Sequence, residues 1–217
     1  MEKNRTGQVI AFIALFVGII GLSVGFAAFS NTLTIKSNAT VTPDSSIFNV
    51  DFSDDSTKVL VEPVTPVVTP NTLVATEGTI DNTGSPTISN ISATFTEPGQ
   101  KAVYTFYAYN AGELDAYLKS IAFANATGGS TTKVCTAKTG TTDSLVQEAC
   151  KGITLSVQVG SEAATTGSVS SITGHKLAKT ASDTVVVTLE YAANSASADG
   201  DFTVTFGDVT LNYSSVD

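Results

Sequence analysis

The sequence predicts an all-β protein: an antiparallel β-sandwich, jelly-roll or alternatively immunoglobulin-like, preceded by an N-terminal hydrophobic signal or anchor helix. Three observations carry that expectation. Segment after segment alternates apolar and polar residues with a period of two, the mark of a strand with one buried and one wet face. Thr, Ser, Ala, Val and Gly dominate, and β-branched side chains fit a pleated surface and crowd a helix. One apolar run without charge or proline, Val9 to Phe29, stands apart behind Lys3 and Arg5. The implied organisation is a signal peptide or membrane anchor over residues 1–27. A single β-sandwich domain follows over 28–217, with a disulfide-closed loop at 135–150.

The apolar run is 21 residues long. A helix needs about 20 to cross a bilayer, and signal-peptide cores are usually shorter, so length leaves both readings open. The end of the run says more. Gly25-Phe26-Ala27 puts small residues where a signal peptidase requires them for a cut between Ala27 and Ala28. Retention as an anchor is the alternative. A pilin-type cut between Gly7 and Gln8 is a third mode, with Thr6 where archaeal pilin-like precursors carry a basic residue. Export to the cell surface or beyond is common to all three.

From the cut onward the strands follow in order. Phe29, Asn31, Leu33 and Ile35 share one parity against Ser30, Thr32, Thr34 and Lys36. That strand either opens its own sheet or completes a neighbour's by β-augmentation. Phe48, Val50 and Phe52 alternate in a second strand, and Asp51, Asp54 and Asp55 read as a solvated acidic turn. The Gly and distal Glu of an EF-hand loop are not in place there. Val-Thr-Pro occurs at 64–66 and again at 68–70, which predicts an extended connection along a sheet edge, since proline cannot donate to a ladder.

Ile91, Ala93 and Phe95 alternate next, and Glu97-Pro98-Gly99-Gln100 makes a turn. Val103 to Tyr109 is apolar on both parities, as expected of a central strand covered on both faces. Asn110-Ala111-Gly112-Glu113 turns the chain into a strand from Leu114 to Phe123. The one predicted helix spans 143–149, capped by Asp143 or Ser144, with Leu145, Val146 and Ala149 as its apolar stripe. Ile153, Leu155, Val157 and Val159 alternate, as do Val185, Val187, Leu189 and Tyr191. At the end Phe202, Val204 and Phe206 are even while Val209, Leu211 and Tyr213 are odd. That slip at Gly207-Asp208 predicts a bulge or tight turn, because otherwise one apolar set would face water.

The net charge of −9 falls to −10 once Glu2, Lys3 and Arg5 leave with residues 1–27. So acidic a chain, with no basic patch, repels phosphate backbones and predicts no nucleic-acid partner. Cys135 and Cys150 are the only cysteines; in an exported chain the pair predicts a disulfide, contributing about 3 kcal/mol in the chain-entropy model. Two cysteines are too few for a zinc site. His175, the single histidine, sits in Thr-Gly-His-Lys and reads as an exposed loop residue rather than a catalytic base. No nucleophile elbow, zincin motif or phosphate-binding glycine loop occurs, so no catalytic, cofactor-binding or metal residues are assigned and the chain is not expected to be an enzyme.

Several short motifs, in order, carry a resemblance. Gly25-Phe26-Ala27-Ala28-Phe29, Thr-Glu-Pro-Gly-Gln at 96–100, Tyr104 to Gly112 with its Asn110-Ala111-Gly112, and the closing strands Phe202 to Tyr213 resemble the bacterial TasA/camelysin family. The resemblance implies a jelly-roll subunit, export through a SipW-type signal peptidase, and self-association into matrix fibres in which one subunit's N-terminal strand enters the next. The donor strand implied here is Ala28 to Ile35, with Phe29, Asn31, Leu33 and Ile35 as its candidate residues. The disulfide loop and the Val-Thr-Pro segment depart from the family pattern. The metalloprotease label attached to camelysin-type relatives is not carried over. The alternative is a monomeric surface adhesion or binding domain held in the membrane through its N-terminal segment.

Overall fold

The structure, a computed structural model, describes residues 47–57 and 61–217. The run Val9 to Phe29, the cut at Ala27–Ala28 and the strand of Phe29, Asn31, Leu33 and Ile35 lie outside the described residues. What is described is mostly β, and every strand pairing is antiparallel.

The longest strands build the first sheet. β7 (Lys101–Asn110) and β12 (Ser182–Tyr191) pair along nearly their whole length, and β10 (Ile153–Val159) lies on the far side of β12. Two short strands share the other edge of β7. β1 (Val50–Ser53) pairs residues 107–110 and β2 (Val67–Thr69) pairs 101–103. β2 is the second Val-Thr-Pro stretch, an outer strand as a proline-bounded segment must be.

The remaining strands form two ladders that are halves of one set of chains. In one, β3 (Val74–Ala75), β6 (Ser92–Phe95), β13 (Phe202–Phe206) and β9 (Lys133–Ala137) lie side by side. In the other, β4 (Thr79–Asp81), β5 (Thr87–Ser89), β14 (Val209–Ser214) and β8 (Ala116–Phe123) keep the same neighbours, with β11 (Lys176–Leu177) added outside β8.

The break between the halves is where the phase slips. Phe206 and Val209 are both buried although their parities differ, with Gly207-Asp208 between them. On the next chain Ile88 and Ile91 are both buried across Asn90, whose φ is +61°. Asn tolerates that left-handed region better than most residues. Here its amide donates to Glu77 O at 2.8 Å and its carbonyl accepts from Thr76 Oγ1 at 2.6 Å. Phe206 N–H then donates to Ile91 O at 2.9 Å, tying the two slips together. Instead of a bulge within one ladder, Gly207-Asp208 is the junction between two strands; the register shift of the closing ladder lies at Asn212/Tyr213.

One core gathers the inward faces. Tyr191 of β12 meets Phe95 of β6 and Phe202 of β13 edge-on, each at 5.7 Å, so aromatic contacts bind the first sheet to the β6–β13 ladder. Ile153, Leu155, Val157 and Val159 are buried, as are Val185, Val187 and Leu189, in the alternation expected. β7 differs from expectation. Ala102, Tyr104, Phe106 and Ala108 are fully buried, but Thr105 is exposed and Val103, Tyr107 and Tyr109 are only half-buried. Tyrosine covers that outer face because its ring can pack while its hydroxyl stays in water.

The helix runs Asp143–Cys150 and buries Val146, Ala149 and Cys150, whereas Leu145, expected in the stripe, is exposed. Its N-cap is Thr142 rather than Asp143 or Ser144. Thr142 makes no side-chain cap: its N–H and hydroxyl both donate to the Asp199 carboxylate, at 2.8 and 2.6 Å.

A Cβ on Gly207 would lie 2.2 Å from Ala124 O, a backbone atom that cannot swing aside. Gly207→Ala is therefore expected to cost about 1–3 kcal/mol in chemical denaturation. Unchanged stability would remove the steric reason for glycine at the break.

Candidate functional site

Cys135 on β9 and Cys150 at the end of the helix are joined, with Cα atoms 6.1 Å apart. The bond fixes the helix to β9, and the chain leaves it directly into β10 at Ile153. A slot opens between β9 and β10, lined by Phe123, Leu155 and Phe206 and by Thr132, Lys133 and Thr166. Lys133 Nζ donates to Ile153 O. Burial lowers the pKa of that ammonium from its ordinary value, because the lost hydration disfavours the charged form.

The second polar cluster overturns an expectation. His175 is not an exposed loop residue; it is 8% exposed and held between two carboxylates. Its Nδ1 lies 2.8 Å from Glu162 Oε1 and its Nε2 2.7 Å from Asp183 Oδ2. Local turns bring the three together. Gly160 takes a positive φ of 52° where the chain leaves β10, and Glu162 N–H donates back to Val159 O. Gly174, at φ +78°, precedes His175, which β11 then anchors against β8. Asp183 comes from the first turn of the β12 ladder, two residues before its buried run begins.

The chemistry of this clasp is set by its symmetry. A carboxylate only accepts, so both contacts are hydrogen bonds only when both ring nitrogens carry protons. Burial opposes the charged ring, but the hydrogen bonds and charges of Asp183 and Glu162 outweigh it and raise the His175 pKa. Neither nitrogen is left to take a proton from a substrate, and the carboxylates lie on opposite sides of the ring instead of converging on a common point. Tyr213, whose buried hydroxyl has no hydrogen-bond partner among the described residues, adds to the cluster: burial first, then the Asp183 charge, push its phenol above the ordinary range. Among the described residues no three His, Cys, Asp or Glu side chains are grouped to hold a metal ion.

Asp54 and Asp55 do form a turn, in which Asp55 Oδ1 accepts from the Thr57 N–H and hydroxyl, each at 2.7 Å. The cut residues Ala27 and Ala28 and the strand residues Phe29, Asn31, Leu33 and Ile35 are outside the described residues. Spacing could not have found the clasp, since Glu162, His175 and Asp183 come from two loops and a strand start. The slot was equally hidden, because Lys133 and Thr166 meet only through the fold.

No protein-family model, curated protein or solved structure matches the chain.

The clasp makes stability depend on pH. With the folded-state pKa above the unfolded one, its contribution is whole below about pH 6.5 and fades as pH rises through the folded value. The gap in Tm between wild type and His175→Gln should therefore be widest near about pH 6 and narrow toward about pH 9. A gap that is constant or widens over that range contradicts a charged His175.

Proposed function

We propose that this chain is an exported structural subunit of an extracellular surface or biofilm-matrix fibre, of the TasA/camelysin kind, that assembles by exchange of its N-terminal strand. Its body is a jelly-roll β-sandwich, with the β7–β12 sheet as one layer and the paired ladders as the other. Sharing of the same four chains by both ladders favours this over the immunoglobulin-like alternative.

The observation that carries the reading is the outer edge of β7. β12 takes one side of that strand along its length, while β1 and β2 pair 107–110 and 101–103 on the other and leave a gap over 104–106. Asn110 bonds toward β12, and backbone groups alternate in direction along a strand, so Thr105 directs its N–H and C=O to the divided edge. Among the described residues no strand pairs there. An extended segment such as that of Phe29, Asn31, Leu33 and Ile35 would add along this edge by displacing the three-residue β2 and pairing through the gap. A disulfide between Cys135 and Cys150 agrees with an oxidising, extracellular setting.

Protein beginning at Ala28 should polymerise on standing, and removal of residues 28–36 should abolish polymers while leaving a folded β-rich monomer. Electron microscopy and circular dichroism on both proteins decide it. Polymers that persist after the deletion overturn strand exchange, and a full-length protein that stays monomeric in membranes supports an anchored adhesion domain instead.

A further inference from the structure

We propose that the slot between β9 and β10 is a binding site for a small monocarboxylate with a short apolar tail, gripped by Lys133 and kept in shape by the Cys135–Cys150 bond. The proposal is independent of fibre assembly.

The slot has the size and composition for such a ligand. Its volume is about 160 Å³, and an apolar cavity of about 150 Å³ holds a six-carbon ring. Phe123, Ile153, Leu155 and Phe206 give it apolar lining, and Thr132, Lys133, Thr154 and Thr166 give it polar lining. The mixture suits a ligand with one charged end and a short apolar tail better than a wholly apolar one.

Lys133 is the group that selects charge. Its half-buried ammonium has three N–H donors, and Ile153 O takes one. Among the described residues no carboxylate pairs with it, although the chain carries 20 acidic residues against 11 basic ones. An anion in the slot would offset the burial that lowers the pKa of this amine.

The edge of β10 adds backbone partners. Gly152 O accepts from Ala192 N–H and Gly160 N–H donates to Thr184 O, so even-numbered residues of β10 bond toward β12. Odd-numbered residues face outward. Val157 there pairs with Thr165, Val159 O accepts from Glu162 N–H, and Ile153 O accepts from Lys133. Leu155, between them, turns its N–H and C=O to the slot. A net charge of −9 opposes a doubly charged anion more than a monocarboxylate, and the apolar lining residues favour a hydrocarbon tail over a bare inorganic ion.

The disulfide sets the width. Lys133 is two residues before Cys135 on one wall, and Ile153 is three after Cys150 on the other. Breaking the bond frees the walls to part, so ligand capture becomes dependent on the oxidised state.

Titration of the oxidised protein with butanoate, followed by amide NMR, tests the assignment. Saturable shifts should centre on Lys133, Leu155 and Thr166. Butanamide, of the same shape without charge, should bind about tenfold more weakly, and Lys133→Gln should weaken butanoate by a similar factor. Thr166→Phe, on the exposed rim, should block the slot in a folded protein even where Lys133→Gln disturbs β9. Equal responses to butanoate, butanamide and phosphate, or no saturable shift at these residues, would overturn the site. Undiminished butanoate binding after reduction would overturn the role given to the disulfide.

Discussion

The body of this protein depends on one constraint: four neighbouring chains must present their apolar side chains to the core on both sides of a single break. A strand gives every second residue to a face, so a chain that crossed the break in phase would turn its second half inside out. Two neighbours solve this at the same line. Asn90 takes a left-handed conformation between Ile88 and Ile91, and Gly207 gives up a side chain between Phe206 and Val209. The Phe206–Ile91 hydrogen bond holds the two solutions in step. Behind them, Phe95, Tyr191 and Phe202 interlock rings from opposite faces, and that contact needs β6 and β13 to point inward together.

Much of this was legible in the residues because burial and period two are local signals. The inward faces of β10 and β12 follow the alternation of Val, Leu and Ile without exception. The even-to-odd slip at Gly207-Asp208 was visible as well, since two phases of apolar residues cannot share one unbroken strand. Its companion at Asn90 was not, because a single isoleucine on the near side, Ile88, is too little pattern to define a phase. β7 misled for a related reason. Tyr107 and Tyr109 count as apolar in a pattern, yet they cover a wet face.

The polar groups behave differently. His175 looked exposed because a Thr-Gly-His-Lys tetrapeptide describes a turn and says nothing of what closes over it. Glu162 and Asp183 arrive from either side of the same long excursion between β10 and β12, and only the finished ladders set their distances. Lys133 reads as one more polar residue on β9 until β10 is laid beside it. Both clusters therefore belong to the tertiary structure: one as a charged clasp across a loop, the other as a cation left open at the mouth of a slot.

These parts take their meaning from the chain that precedes the described body. A strand begun by a free N-terminus at Ala28 can leave its own molecule, whereas one continuous with a helix in the bilayer is tethered beside it. N-terminal sequencing of the native protein separates the two most directly. The account predicts a single terminus beginning Ala28-Phe29-Ser30. An intact Met1 or Glu2 terminus, or one beginning at Gln8, would contradict it.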